Sequence, residues 1–354
     1  MQSVKILLLC MLLSACASQA SHGGHAWVLK RPFVDYYDSA FIFTAAGKTA
    51  PRELNVSQLA DALRGYDVIF YGESHGHAGV HLQEMKLLRA LHERDSRWVL
   101  SLEQFERDVQ GVLDDYLAGR TGETALIDKG RAWNNYASSY RPLVVFAKVH
   151  HLPVIAAEAP GWAVACVGRW GPGILDQFSP LERSWVAADI HAGPGAYRDE
   201  FMQFLGGSAT HGGGTPAAAN AEAAQRAARE AQNSFAAQVT RDDTMAESIL
   251  RALQQHPGYK VLHVTGSFHS AKFLGTVERL HLRKPSLKIA VIDPVEVADP
   301  GLPALPAADD GDGTVIQLIY PNPEEFADGE DMSAWIGRMK ARHAASECKY
   351  SEPP

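Results

Sequence analysis

Four titratable side chains crowd the stretch DVIFYGESHGHAGVHLQEM at residues 67–85: Glu73, His75, His77 and His81 fall within nine positions, just after an apolar run that stops at Gly72. Carboxylates and imidazoles at the end of a buried strand have the right types for two kinds of chemistry. They can share a divalent metal that holds a water for attack. Alternatively, a histidine can act as a general base, oriented by a neighbouring carboxylate. If Glu73 stays extended, His75 projects to the same side two residues on. His77 and His81 read as solvated loop and helix residues.

Other apolar runs end the same way. Strand candidates are 41–44, 67–72, 98–105, 152–158, 260–266, 288–292 and 315–320, rich enough in Val, Ile and Phe to be buried on both faces. The third carries Glu103 in LSLEQF, the fourth ends at Glu158 in VIAAEAP, and the fifth runs into His269 in HVTGSFHS. Ligands of an open parallel sheet sit beyond the C-terminal ends of its strands. Glu73, His75, Glu103 and His269 are therefore the candidate catalytic set, with His75 and His269 the candidate metal ligands. Glu103 also suits pairing with an arginine, and Glu158, before a proline, suits a structural role.

Helical patterns separate these runs. In AGVHLQEMKLLRALHERD, Leu82, Met85, Leu88 and Leu91 recur at helical spacing. RPLVVFAKVHH reads as a helix with Pro142 in its first turn. The alternation predicts an α/β fold, a mainly parallel sheet flanked by helices. It breaks at 166–255, where Ala, Gln, Arg and Glu dominate and no strand pattern occurs. This segment reads as an inserted all-helical subdomain, including AYRDEFMQFL, the flexible GGSATHGGGTP and a long alanine-rich helix. The α/β core then spans 33–165 and 256–325, and 326–354 is a C-terminal helix and tail.

The N-terminus MQSVKILLLCMLLSAC has a basic residue, an apolar run too short to span a bilayer, and then Ser14-Ala15-Cys16. The ending is similar to a bacterial lipobox, which makes 1–16 a lipoprotein signal peptide, Cys16 the lipidated (palmitate-bearing) first residue, and 17–32 a tether. The alternatives are a plain signal peptide cut near Ala20 or a short buried helix. Ala17 rather than Asp after the cysteine resembles an outer-membrane sorting signal. Acyl chains hold a protein to a membrane surface at about 0.8 kcal/mol per buried methylene. With Cys10 removed and Cys16 committed, only Cys166 and Cys348 remain, so no cysteine-based zinc site is available; whether the two pair stays open. The formal charge of -8 and pI near 6.0 argue against a nucleic-acid partner.

Five segments in this order, VIFYGESHGHAGVHLQEMKLLRAL, LSLEQFERDVQGVLDDYLAG, YRPLVVFAKVHHLPVIAAEAP, AAQVTRDDTMAESI and VLHVTGSFHS, together resemble the ChaN family of bacterial haem-binding lipoproteins. That family shares a superfamily with the Tiki proteins and the erythromycin esterases. The resemblance implies surface attachment, haem as cofactor and ligand, a role in haem or iron acquisition with outer-membrane uptake machinery as partner, and a homodimer holding stacked haems between subunits. It further implies a tyrosine iron ligand in the helical subdomain, which GPGAYRDEFMQF matches at Tyr197, with His211 as a second ligand and Phe201, Met202 and Phe204 against the porphyrin. A tyrosinate is a reasonable donor to ferric haem. The superfamily implies a competing hydrolase that uses Glu73, His75, Glu103 and His269, with or without a divalent transition metal.

Overall fold

The computed structural model of the protein describes residues 27–210, 221–306, 309, 311–324, 327 and 347–351. The signal segment with Cys16, His211 and nearly all of the expected C-terminal helix lie outside them.

The strands are β1 (Trp27–Val28), β2 (Ser39–Phe43), β3 (Arg52–Leu54), β4 (Val68–Glu73), β5 (Trp98–Glu106), β6 (Val154–Glu158), β7 (Lys260–Gly266), β8 (Ile289–Glu296), β9 (Ala304–Leu305) and β10 (Val315–Ile319). The helices are α1 (Val56–Ala62), α2 (Ala78–His92), α3 (Gln110–Leu117), α4 (Glu123–Lys129), α5 (Tyr136–Ser139), α6 (Arg141–Val149), α7 (Gly161–Trp170), α8 (Pro180–Ser184), α9 (Ala196–Thr210), α10 (Ala221–Gln255) and α11 (Gly275–Arg283). Eight strands form one sheet in the order β3-β2-β10-β8-β4-β7-β5-β6. From β10 to β6 every neighbour pair is parallel, while β2 and β3 run antiparallel at one margin.

Each expected strand is present within a few residues of its sequence bounds. The short β1, β3 and β9 were not expected. β1 pairs with β9, so the end of the 17–32 segment belongs to the fold rather than to a free tether: Leu29 is buried, and Phe33 just beyond it as well.

Burial on both faces explains the apolar composition of the central strands. On one face, side chains of α1, α2, α3 and α6 pack against Tyr71, Leu100 and Leu102 of the strands. On the other, Ala246, Ile249 and Ala252 of α10 and Val277 and Leu280 of α11 pack against Phe70, Val99 and Val291. The inserted segment is thus not separate from the sheet: α10 is buried from Phe235 to Ala252 and serves as the crossover between β6 and β7. Its first half and α9 stand off the sheet. Between Pro180 and Ile190 only Pro180–Ser184 is helical, opened by a Ser179–Glu182 capping box.

Two further features matter later. Gln110 lays its side-chain amide along the outer margin of β6, donating to the Val154 carbonyl (2.9 Å) and accepting from the Ala156 N–H (2.7 Å). Cys166 of α7 and Cys348 form a disulfide across 182 residues of sequence. Around it, Tyr350 stacks on Phe178 at 5.0 Å and accepts at its carbonyl from the Trp170 indole (3.1 Å).

Candidate functional site

The C-terminal ends of β4, β7, β5 and β6 lie side by side, and their polar side chains form two linked clusters on the two faces of the sheet. Glu73 is the last residue of β4, in register with Gly266 of β7. It points to the same face as Tyr71, beneath α2 and α6. Its Oε1 accepts from the Tyr140 hydroxyl (2.6 Å) and from the Gln104 amide (3.2 Å), and it lies 2.6 Å from His75 Nδ1. His81 and Glu84 of α2 sit below it, with His81 Nδ1 3.1 Å from Glu84 Oε2 and 3.5 Å from Glu73 Oε2. Burial, reinforced by the Glu84 charge, pushes the Glu73 carboxyl up to about 7, and burial pushes Glu84 up to about 8.

The second cluster faces α10. Strand alternation sends Glu103 of β5 to this face and Gln104 to the other, and beyond Leu102 the strand shifts register with β6. Glu103 Oε2 accepts from the Thr265 hydroxyl (2.6 Å) and the Gly266 N–H (2.7 Å), while Oε1 accepts from Arg241 (2.8 Å). Arg241 also donates to Glu158 Oε2 (2.7 Å). Burial would raise the Glu103 carboxyl, but the His269 and Arg241 charges outweigh it and hold it well below the usual range. His269 Nδ1 lies 2.8 Å from Asp242 Oδ1, and its Nε2 lies 3.7 Å from Glu103. Burial pulls the His269 imidazole down, and the Asp242 and Glu103 charges more than restore it, leaving it raised.

His75 joins the two clusters at the sheet edge. Its ring crosses the end of β7 so closely that a Cβ on Gly266 would stand 2.7 Å from His75 Nε2, so a larger residue there would push the ring aside. The side chain is 45% exposed, against 5% for His269, which makes His75 the accessible member of the pair. Burial lowers its imidazole, yet the bond to Glu73 and the Glu103 charge raise it overall. The result is an imidazole held at Nδ1 by a buried carboxylate and open to solvent beside a guanidinium. That arrangement can bind an anionic group and move a proton.

Glu73, His75, Glu103 and His269 are therefore brought together as the strand ends predict. Several other expectations are corrected. His77 and His81 are buried, not solvated. His77 caps α2, its Nδ1 accepting from the Val80 N–H (3.3 Å), and stacks on Tyr36 at 4.3 Å. His75 and His269 each turn Nδ1 to a carboxylate of their own, Glu73 and Asp242, and Arg241 donates to Glu103. Among the described residues, the donor atoms that converge are those of Glu73, His81 and Glu84.

Tyr197 and Phe201 are buried, and the Tyr197 hydroxyl donates to Asp242 Oδ2 (2.8 Å) beneath the Arg279 guanidinium. Burial and the Asp242 charge push that phenol well above its usual range. In this position Tyr197 orders the His269–Asp242 pair and offers no oxygen outward. Met202 packs partly buried against the same cluster. Phe204, by contrast, is 58% exposed and meets the half-exposed Phe268 ring at 5.6 Å. Sequence reading assigned no role to Arg241, Asp242, Gln238, Tyr140 or Glu84. Polar residues in TRDDT, inside an otherwise alanine-rich helix, were the available signal for the first two.

The family model described as haem-binding uptake, Tiki superfamily, ChaN matches residues 59–280, more than half of the chain. The chain belongs to this family. The ChaN-family match begins in α1, takes in both clusters and ends in α11. Among solved structures, a ChaN of Campylobacter jejuni with cofacially bound haem is similar at a TM-score of 0.55 and 16% identity, covering 80% of this chain and 98% of that one. This likeness places the α/β architecture in the ChaN fold. An erythromycin esterase mutant in its open conformation aligns at a TM-score of 0.39 and 12% identity, over 76% of this chain and 82% of that one. Among curated proteins, none matches.

Proposed function

We propose that this ChaN-family protein binds haem and serves haem or iron acquisition at a bacterial outer membrane, anchored by lipid on Cys16. The observation that carries the reading is the family match across residues 59–280, supported by the shared ChaN fold. The porphyrin contact is placed on the Phe204–Phe268 face. There a cleft of roughly 440 Å3 is lined on one side by those rings, Ala271 and Pro294, and on the other by Asp293, Asp312 and the Lys272–Glu200 ion pair. Tyr197 enters as packing under that face, because its hydroxyl is committed to Asp242. Two copies meeting face to face across the haems would cover both exposed phenylalanines, and the uptake machinery would receive haem from that dimer.

Titration of the mature protein with ferric haem is expected to give a saturable Soret shift. Phe204→Ser should weaken the affinity about tenfold, equivalent to 1.4 kcal/mol. Tyr197→Phe should leave the Soret position unchanged. Loss of the ferric spectrum in Tyr197→Phe alone would return the ligand role to that residue. No saturable shift in the wild type would overturn haem binding.

That outcome would favour a second reading, a hydrolase, which one observation supports. His75 is open to solvent while Glu73 fixes its Nδ1, the geometry of an oriented general base.

Anchoring has its own test. Expressed in a Gram-negative host, the full chain should incorporate labelled palmitate and sediment with membranes. Cys16→Ala should abolish both, and unchanged labelling would refute the anchor.

A further inference from the structure

Glu84 and the second oxygen of Glu73, beneath the strand ends, are unexplained by either reading of the open cleft. Glu73 and Glu84 lie almost completely buried on either side of His81, which is itself buried. Each has one oxygen without a hydrogen-bond partner, Glu73 Oε2 and Glu84 Oε1. An ionised carboxylate in such surroundings needs a counter-charge, and two of them side by side need a shared proton or a cation. The nearest cations, Arg241 and the His75 imidazole, do not reach these oxygens; Arg241 is held by Glu103 and Glu158.

We infer that Glu73, His81 and Glu84 form a buried site for one divalent transition metal, separate from the open His75–His269 cleft and independent of haem binding. Three donor atoms, one from each residue, lie within 4.8 Å of one another. His81 Nδ1 stands 3.5 Å from Glu73 Oε2 and 3.1 Å from Glu84 Oε2. Metal–ligand bonds of about 2.0–2.1 Å in tetrahedral geometry give edges of roughly 3.3–3.4 Å, so the two edges at His81 already match to within tenths of an ångström, and the two carboxylates close on the metal by rotation of their side chains. The local sequence produces this placement. His81 and Glu84 are three residues apart on α2 and share one helical face, the spacing by which helices present a histidine and a glutamate to one metal.

The surroundings resemble the outer shell of a metal site. Tyr140, Gln104 and His75 all engage Glu73 Oε1, which leaves Oε2 directed at the other two donors. Two glutamates neutralise a divalent cation, and an imidazole with two carboxylate oxygens suits zinc or a neighbouring first-row ion. Binding at Nδ1 moves the imidazole proton to Nε2, exchanging the long 3.3 Å contact from the Gly76 amide. Any proton held between the carboxylates leaves to solvent.

The test uses haem-free, chelator-stripped mature protein titrated with Co2+ as a visible-region probe and with Zn2+ by calorimetry. One equivalent should bind, with the intense d–d absorption of a four-coordinate site, and Zn2+ should displace the Co2+. Glu84→Gln keeps the side-chain volume and should weaken affinity at least a hundredfold. His81→Gln should do the same, while His269→Asn should retain the metal. Circular dichroism of each variant separates a lost site from a lost fold, and if His81→Gln is unfolded, Glu84→Gln decides. No binding to the wild type, or equal affinity in Glu84→Gln, would overturn the inference. Loss of metal in His269→Asn with retention in Glu84→Gln would move the site to the open cleft.

Discussion

Reducing the Cys166–Cys348 disulfide should give the largest stability loss of any single covalent change in this protein. The bond closes a loop of 182 residues, and the chain-entropy relation assigns a loop of that size on the order of 5 kcal/mol, an upper figure because native strain and residual denatured structure subtract from it. Packing moderates the effect. Without the bond, residues 347–351 hold to the body through Tyr350 on Phe178, the Trp170 indole, and Tyr350 Oη donating to Glu182 (2.7 Å). Denaturant melts with and without dithiothreitol should separate by several kcal/mol, and Cys348→Ser should superimpose on the reduced wild type. Coincident melts would show that the bridge stabilises nothing. An oxidising envelope compartment is where such a bond persists.

The second large effect belongs to Arg241. Its guanidinium bridges Glu103 and Glu158, both buried carboxylates, from a side chain that is 29% exposed. Arg241→Met preserves the aliphatic stem and removes the charge, leaving Glu158 without its salt-bridge partner and Glu103 with the His269 charge and its Thr265 and Gly266 donors. Breaking a buried pair by removing one partner costs roughly 3–5 kcal/mol, and the partial exposure of Arg241 places the expectation near the low end. Urea unfolding is the measurement. Arg241→Met/Glu158→Gln should recover part of the loss, because it removes the stranded charge. A single variant as stable as the wild type would show that water or protonation already compensates the carboxylates.

These residues also mark where the sequence stops being readable. β4, β5, β7 and β8 could be located because strands buried on both faces are runs rich in Val, Ile, Leu and Phe, with few polar residues, such as Ser101 and His263, before their ends. β3 could not, since REL is three residues long and mostly exposed. The clustering of Glu73, His75, Glu103 and His269 followed from strand order in a parallel sheet, without any contact being known. Whether a histidine at such an end is solvated or buried depends on what packs over it. That is why His77 and His81 read as surface residues and are interior ones. Arg241 and Asp242 were hidden for a related reason. They sit in a helix whose neighbours are alanines, and only the docking of α10 onto the sheet shows which of its polar residues face inward. Tyr197 shares its helical face with Phe201, and that spacing fits a core-facing helix as well as a ligand-binding one. The buried hydroxyl on Asp242 distinguishes the two.

Gln110 has a consequence for how copies of this protein can associate. Its amide takes up the Val154 carbonyl and the Ala156 N–H, the backbone groups that an incoming strand would seek along β6. At the opposite margin β3 offers only three residues, too few to template a partner. Both rims of the sheet are thereby refused to polymerising neighbours, and fibres grown by strand-to-strand addition have no starting point among the described residues. A dimer must instead be built through helices and loops, where surface complementarity sets a finite size. For a protein held at high local concentration, that is protection against its own crowding.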